Sequence, residues 1–444
     1  RWFICPTRCP GGVSLGANCT TRLRPLQAGR PIPDQSGNGS ERVFGPGRNP
    51  VLCVKPIAND RLMLLAHKLR KLRRMKPDEL YWRSNHAARM AWARVRHQLS
   101  IEARPHVGGS VEDFAVSCAR LIGGAPMFSQ APGTVFRCAV ENEKQRVVET
   151  AESIISGEAS LLGKPFQCTH IDWHLEPISG HRFEKRFAAD VDLHQNFRDD
   201  VDVKYTWELG RHQFLVPLAQ ATLVSGAERY AETVQETIVD WIENNPPNIG
   251  VHWASALELA VRGISWIWCI GCLHHAGYRF DSETLKIIQQ NLAIHAECLL
   301  QRLSYYSSPY NHLIGEATAL YVLAAVLDDC DRSRLWKSQA RQTLNKSGPD
   351  QFYADGFSFE QTTSYHYFTL GFLCLALATA KTWGDADLRV ENVVAHAATA
   401  GLSFQTGSGK WPVIGDTDSA RAIPVAVDDY WDFSGVSTLA TALT

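Results

Sequence analysis

Two short polar segments carry residue types suited to acid–base chemistry beside a carboxylate. In the first, Asn311 and His312 follow Pro309, which suits the first turn of a helix. The sequence therefore predicts an amide and an imidazole next to the free N–H groups and positive dipole end of a helix, where a carboxylate is stabilised. A purely structural alternative is that Asn311 caps the helix and His312 pairs with Glu316 one turn later.

The second segment ends in three consecutive hydrogen-bonding residues, Tyr365, His366 and Tyr367. Ser358 and Gln361 match the S-x-x-Q capping box, which predicts a helix that starts at 358 and carries Tyr365 in its second turn. One helix face cannot bury three consecutive side chains, so at least one of them is expected to face a cleft. Alone, such an aromatic cluster is more often part of a core or an interface than of a functional site.

The chain has 13 tryptophans, several of them close to arginine, histidine or aspartate. Aromatic faces that stack on sugar rings, with polar groups nearby, are typical of a carbohydrate-binding groove. Trp207 and Arg211 lie in one such segment, and Trp253, Glu258 and Arg262 lie in another. Glu258 and Arg262 have the i,i+4 spacing of a stabilising ion pair on a helix. This second segment therefore fits a structural role as well as a substrate-binding one.

Composition excludes several classes of protein. Hydrophobic residues make up 45% of the 444 residues and charged residues 20%, as in ordinary globular proteins. Lys plus Arg is 45 against Asp plus Glu 46, so no overall basic field favours nucleic acid. No run approaches the ~18 apolar residues of a transmembrane helix. Among the cysteines only Cys269 and Cys272 have CxxC spacing, and their apolar surroundings predict buried thiols rather than a metal site.

Helical periodicity dominates residues 101–405, which we interpret as one helical domain. Tyr230, Val234, Ile238 and Trp241 form a single apolar stripe, and Asp281 is the predicted N-cap of a later helix. Short connections between consecutive helices favour antiparallel hairpins.

The remaining segments differ from this domain. Residues 1–60 are rich in Gly, Pro and Arg and are predicted to be a disordered leader, and residues 61–100 form a basic amphipathic helical segment. That segment either packs on the main domain or lies on a membrane surface. After 405 the helical period breaks and β-rich pieces such as 422–427 appear. Residues 406–444 are interpreted as the start of a β domain, because forty residues cannot complete one.

In order along the chain, six segments together resemble the heparinase II/III-like family of polysaccharide lyases, which includes alginate lyase and heparan lyase relatives. They are residues 172–174, 204–213, 253–262, 310–316, 364–366 and 414–418. The resemblance spans about 160 to 425 and is most specific in the Asn-His-Leu-Ile-Gly-Glu and Ser-Tyr-His elements. It implies a mainly α fold: an incomplete (α/α) toroid of antiparallel helical hairpins, followed by the truncated start of an antiparallel β-sandwich domain.

The resemblance further implies β-elimination on a uronic-acid-containing polysaccharide, without a metal or cofactor. Asn311, with His312 beside it, would neutralise the uronate carboxyl group. Tyr365 would remove the C5 proton, protonate the leaving O4, or do both. Because an unperturbed tyrosine pKa is near ~10, nearby cations would have to lower it, and Arg211 and Arg262 are the candidates.

Six further residues complete the implied site as substrate-binding residues: Trp207, Arg211, Trp253, Glu258, Arg262 and His366. His366 would also support Tyr365. The family draws another histidine or tyrosine from its β domain, and we expect this chain to lack it and to be inactive without that domain. Asp416, Asp418 and Arg421 match the start of that domain and are interpreted as structural. The resemblance places the protein in the periplasm or cell envelope, although no signal-peptide pattern is visible.

Two other functions remain open. An inverting glycoside hydrolase on the same scaffold needs two carboxylates about 6.5 to 9.5 Å apart, and Glu316, Asp355 and Glu360 are available. A non-catalytic glycan-binding or exopolysaccharide-assembly protein is the other alternative, because a fold supports more than one function.

Overall fold

Helices form nearly all of the regular structure in the computed structural model of the chain. The structure describes residues 75–99, 105, 107–124, 134–191, 193, 201–327, 331–407, 409–417, 420–422 and 431–444. The predicted leader at 1–60 lies outside these residues. In chain order the helices are α1 (Pro77–Gln98), α2 (Val111–Gly124), α3 (Thr134–Ile155), α4 (Val203–Gly210), α5 (Leu215–Ser225), α6 (Glu228–Asn244), α7 (Ala256–His275), α8 (Ser282–Arg302), α9 (Asn311–Val326), α10 (Asp331–Ser347), α11 (Thr363–Trp383), α12 (Glu391–Ser403) and α13 (Ser434–Leu443).

Alternate helices form an inner layer. In it α3 contacts α5, α5 contacts α7, α7 contacts α9, α9 contacts α11, and α11 contacts α13. The intervening helices pack outside, with α6 on α5, α8 on α7, α10 on α9 and α12 on α11. Because short connections make each such pair antiparallel, the inner helices run in the same direction. The chain is thus mainly α and forms an incomplete (α/α) toroid of helical hairpins, which confirms the predicted fold class.

Burial follows from these layers. Inner helices α7, α9 and α11 are buried along almost their whole length. Outer helix α6 instead buries one stripe, which includes the predicted Tyr230, Val234, Ile238 and Trp241. Helix α2 packs against α7, α9 and α11. It approaches α7 so closely that a Cβ atom on Gly271 would lie 2.7 Å from the nearest backbone oxygen of α2.

Helix α7 has the length and apolar composition of a membrane-spanning helix, yet the whole of its apolar window is buried inside the fold. It is therefore the central core helix of the toroid. Cys269 and Cys272 lie on it as buried free thiols, and burial raises the pKa of Cys272 to about 12. This confirms their structural interpretation.

Regular β structure is minor in the described chain. Strands β1 (Glu158–Leu161) and β2 (Lys164–Gln167) form one antiparallel hairpin after α3. Short 3-10 turns at Ala188–Asp190, Val251–Trp253 and Pro349–Gln351 connect other elements.

The C-terminal segment differs from its sequence pattern. Residues 411–417 cross the N-terminal end of α11, where the Thr363 N–H donates to the Ile414 carbonyl at 3.1 Å. Helix α13 then packs on α11 and α12. The described part of 406–444 therefore contains a helix rather than a strand. Most of the β-rich piece at 422–427 lies outside the described residues, so the start of a β domain stays a prediction.

Helix boundaries decide where the candidate residues stand. Asp281 accepts the Thr284 N–H at 2.8 Å, which confirms its N-cap role at α8. The predicted start of a helix at Ser358 is wrong. Helix α11 begins at Thr363 because the Thr362 hydroxyl accepts the Tyr365 N–H at 3.0 Å. Tyr365 therefore lies in the first turn of α11.

The described part of the basic segment 61–100 consists mainly of α1, which packs on α8. This agrees with the interpretation that the segment covers the main domain. Most of its leucine-rich first half lies outside the described residues.

Candidate functional site

The two predicted catalytic segments meet at the starts of adjacent inner helices. Asn311 is the first residue of α9 and is 5% exposed. Its Nδ2 donates to both carboxylate oxygens of Glu360, at 2.8 and 2.9 Å, and its backbone N–H lies 3.3 Å from one of them. Because Glu360 belongs to the segment that leads into α11, this contact joins the starts of α9 and α11. The Asn311 amide is thus a carboxylate donor rather than a helix cap.

Tyr365 lies on the first turn of α11 and is 6% exposed. Its hydroxyl donates a long hydrogen bond to Asp416 Oδ2, at 3.4 Å. The Ser364 hydroxyl donates to the Asp416 carbonyl at 3.1 Å. Gly415 has φ +72°, and a Cβ there would lie 2.7 Å from the Gln361 carbonyl oxygen, so glycine lets the segment 411–417 approach α11. Asp416, interpreted from sequence as structural, is therefore the carboxylate beside Tyr365.

His312 lines a cavity of about 440 Å³ that we call the α1 cavity. Its lining consists of Trp82, Arg83, His86 and Met90 of α1, Ala189, Ala254, Ser255, Ala256, Arg302, Ser304, Ser307, Ser308, His312 and Glu316. The Glu316 carboxyl group accepts the N–H and hydroxyl of Ser304, both at 2.7 Å. Burial raises the pKa of Glu316 to about 8, so this group is protonated at neutral pH.

Arg211 is held between two carboxylates. Its Nε donates to Glu258 Oε2 at 2.7 Å and its Nη2 to Oε1 at 3.2 Å, while Nη1 lies 2.5 Å from Glu208 Oε2. The predicted ion pair between Glu258 and Arg262 is therefore wrong, since Glu258 pairs with Arg211. Trp207 is half-buried and donates its Nε1–H to a backbone carbonyl at 3.1 Å. Substrate contacts of Trp207 and Arg211 stay predictions, whereas direct contact of Glu258 with a polysaccharide is contradicted by its burial at 1% exposure.

Three predicted substrate-binding residues lie inside the core. Trp253, Arg262 and His366 are each 0% exposed. The Trp253 indole N–H donates to the Asn245 carbonyl at 3.1 Å, and His366 Nε2 lies 3.0 Å from the Ala397 carbonyl. Direct contact of these three side chains with a polysaccharide is contradicted by their burial.

Arg262 instead joins several elements of the core. It donates to the carbonyls of Gly210 and His252, at 3.1 and 3.2 Å, and its Nε lies 3.0 Å from His295 Nε2. Its guanidinium lies 4.0 Å from the ring centroid of Trp241, a cation–π contact. Burial lowers the pKa of Arg262 to about 9, so it remains charged at neutral pH.

Buried histidines make the folded state sensitive to acid. Burial, with repulsion from Arg262, lowers the pKa of His252 to about 3, and burial lowers that of His366 to about 4. The unfolded chain takes up these protons near pH ~6.5. Stability is therefore complete above that pH and is lost as the pH falls towards the folded pKa values. We expect the free energy of unfolding, measured in urea, to drop steeply between pH 6.5 and 4.

A matched pair of variants tests this source of acid sensitivity. His366→Gln keeps a donor for the Ala397 carbonyl but cannot titrate, so its stability should fall less steeply with acid. His396→Gln changes an exposed histidine and should keep the wild-type slope. Equal slopes in all three proteins would contradict the assignment.

Sequence reasoning missed the partners of the catalytic candidates and one wall of the cavity. The sequence indicates Glu360 only as a possible carboxylate of a glycoside hydrolase. Arg83 and His86 belong to no motif that would predict a functional role. Among the described residues no group of three or more His, Cys, Asp or Glu side chains could hold a metal ion. The absence of a metal or cofactor stays a prediction.

Known proteins are similar to this chain over part of its length. The family model described as Heparinase II/III N-terminus matches residues 125–431, more than half of the chain. The chain belongs to the heparinase II/III family. A heparin-sulfate lyase of Bacteroides stercoris is 25% identical over 213 residues, which are 43% of this chain and 32% of that protein. A heparin-sulfate lyase of Bacteroides thetaiotaomicron is 28% identical over 172 residues, which are 38% of this chain and 24% of that protein.

This heparinase II/III family chain thus spans about a third or less of the length of these curated relatives. Among solved structures it is similar to the heparan sulfate lyase HepC of Pedobacter heparinus, with 17% identity and a TM-score of 0.46 over 67% of this chain and 44% of that chain. It is also similar to a heparinase III, with 20% identity and a TM-score of 0.44 over 62% and 41% of the two chains.

Proposed function

We propose that this chain is a polysaccharide lyase that cleaves a uronic-acid-containing polysaccharide by β-elimination. The observation that carries the proposal is that Asn311 and Tyr365 stand in the first turns of two adjacent inner helices, joined through Glu360. Family membership supports the reaction class. The names of the two Bacteroides relatives make heparan sulfate the first substrate to test.

Elimination must break the C5–H bond beside a carboxylate whose negative charge opposes further charge on carbon. In the proposed mechanism the Asn311 amide donates to the uronate carboxyl group and stabilises the charge that develops there. The N-terminal end of α9 adds its dipole at the same position. His312, the next residue, lines the adjoining cavity and extends the donor surface.

Tyr365 is the proton carrier in this mechanism. Its hydroxyl passes a proton to Asp416, and the resulting phenolate oxygen takes the C5 proton of the uronate. The C4–C5 double bond forms as the C4–O4 bond breaks, and Tyr365 delivers the proton to O4 before Asp416 returns its own. Asp416 is the proton acceptor because its carboxylate lies within hydrogen-bond distance of the Tyr365 hydroxyl. Arg262, which is one of the two candidates for a cation that lowers the tyrosine pKa, is enclosed in the core.

The test is an ultraviolet-absorbance assay of the protein together with the β domain that the family resemblance implies, with heparan sulfate, heparin, hyaluronan and alginate as substrates. We expect absorbance to rise with at least one of them, because elimination leaves a conjugated unsaturated uronate. Carboxyl-reduced heparan sulfate is the matched control and should give no rise, since it lacks the group that Asn311 binds. New reducing ends without absorbance would indicate hydrolysis, and binding without either product would indicate a glycan-binding protein.

A further inference from the structure

The α1 cavity contains positive charge that the proposed catalytic residues do not use. Arg302 extends from the last turn of α8 and donates Nη1 to the Trp253 carbonyl at 2.7 Å and Nη2 to Asn248 Oδ1. Both acceptors are neutral. Its Nε atom is buried and has no hydrogen-bond partner among the described residues. The Arg302 guanidinium thus lies in the cavity lining, and no carboxylate among the described residues forms an ion pair with it.

Helix α1 brings more cationic groups to the same lining. Arg83 pairs with Glu79 one turn earlier, at 2.8 Å, and also donates to the Tyr306 carbonyl at 3.1 Å. The His86 Nδ1 atom is buried and lacks a partner in the described part of the chain. Burial lowers the pKa of His86, and repulsion from Arg302, Arg89 and Arg83 adds to the effect, while a hydrogen bond with the Gln301 backbone opposes it. The cations of the lining itself are Arg302 and Arg83.

Carboxylates offset only part of this charge at neutral pH. Glu79 pairs with Arg83 from outside the lining, whereas no carboxylate in the described chain pairs with Arg302. Glu316 is the one carboxyl group of the lining, and that group is protonated. The other polar lining groups include the hydroxyls of Ser255, Ser307 and Ser308, which can donate to an oxyanion or to sugar hydroxyls. Trp82 adds an aromatic face, of the kind on which sugars stack.

We infer that the α1 cavity is an oxyanion subsite, which binds a sulfate or carboxylate group on the sugar next to the uronate held by Asn311. The identity of that sugar rests on the proposed function. The position follows from the chain itself, since His312 lines the cavity and Asn311 precedes it. A volume of about 440 Å³ lies within the range of small-ligand pockets, about 300 to 1,000 Å³.

Equilibrium binding tests the subsite separately from catalysis. The ligand is a heparan sulfate tetrasaccharide, titrated calorimetrically into the full chain carrying Tyr365→Phe to prevent cleavage. Arg83→Gln removes one charge from the lining and should weaken binding about ten-fold, as expected for a charge-assisted hydrogen bond. Arg279→Gln removes the same charge from an exposed position outside the lining, and should weaken binding less than about two-fold.

A second variant probes the cavity without removing charge. Ala189 is exposed at the rim, and Ala189→Trp should fill the opening and also weaken binding about ten-fold. Arg302 is left intact because it also holds Trp253 and Asn248. Equal losses in Arg83→Gln and Arg279→Gln, or wild-type affinity in Arg83→Gln and Ala189→Trp, would overturn the inference.

The chemistry of the bound group follows from a desulfated tetrasaccharide. If Arg83→Gln does not weaken binding of this ligand, the subsite binds sulfate. If Arg83→Gln still weakens binding, the subsite binds carboxylate. Failure of the subsite remains distinct from failure of the proposed function. Arg83-dependent binding without elimination, in the protein together with its β domain, would support the subsite and refute the lyase. Elimination without Arg83-dependent binding would support the lyase and refute the subsite.

Discussion

Replacing Tyr365 with phenylalanine is expected to lower kcat for elimination by at least about a hundred-fold, the usual contribution of a general acid–base group. The change removes one hydroxyl, which donates a long hydrogen bond to Asp416 at 3.4 Å. The ring remains in the first turn of α11, so folding and KM should change little. Initial rates from the ultraviolet assay, with substrate varied around KM, measure the effect.

Tyr321→Phe is the matched control for this variant. Tyr321 is also buried and lies on α9, ten residues after Asn311. Its hydroxyl donates to Asp385 Oδ2 at 2.7 Å. Loss of this bond should cost stability but leave kcat near the wild-type value. If Tyr365→Phe retains more than a tenth of the wild-type kcat, Tyr365 does not carry the proton.

Replacing Arg262 with methionine is expected to lower the free energy of unfolding by about 3 kcal/mol or more. Methionine fills part of the space but leaves the carbonyls of Gly210 and His252 without their donor. The cation–π contact with Trp241 is lost as well. Urea unfolding at pH 7.5 followed by tryptophan fluorescence measures the change.

Arg279→Met provides the comparison, because Arg279 is exposed and its replacement should shift stability by less than about 0.5 kcal/mol. The interpretation of Arg262 as a substrate-binding residue makes the opposite prediction, an unchanged free energy of unfolding with a raised KM. Wild-type stability in Arg262→Met would therefore restore that interpretation.

Local sequence patterns predicted elements well where the interactions that define them are local. The apolar stripe on α6 and the Asp281 cap of α8 need only neighbours within one or two turns. The start of α11 was misplaced because two cap sequences compete. The Ser358 hydroxyl accepts the Glu360 N–H at 3.2 Å, while Thr362 caps the helix. Residue spacing alone does not show which of two capping sequences starts the helix.

The candidate site was predictable in its helices but not in its partners. Asn311 and Tyr365 were placed near helix starts from sequence, and the structure puts both in first turns. The sequence predicts that Glu258 pairs with Arg262, one turn away on the same helix. In the structure it pairs with Arg211, which lies between α4 and α5. The choice between a local and a distant cation depends on tertiary packing, which a helical spacing rule does not contain.

Because of the contact between Asn311 and Glu360, a bound uronate would replace one carboxylate with another at the Asn311 amide. In the free protein the amide already binds a carboxylate, at 2.8 and 2.9 Å. In the proposed mechanism the uronate must compete with this internal anion. Replacing one carboxylate with another adds little affinity in the ground state, and a neutral sugar has no carboxylate with which to displace Glu360. The advantage of the uronate arises when its carboxyl group gains charge as C5 loses its proton. Glu360 would thus compete with neutral glycans for the Asn311 amide and prevent them from binding it. The amide would then interact strongly with the uronate only in the transition state.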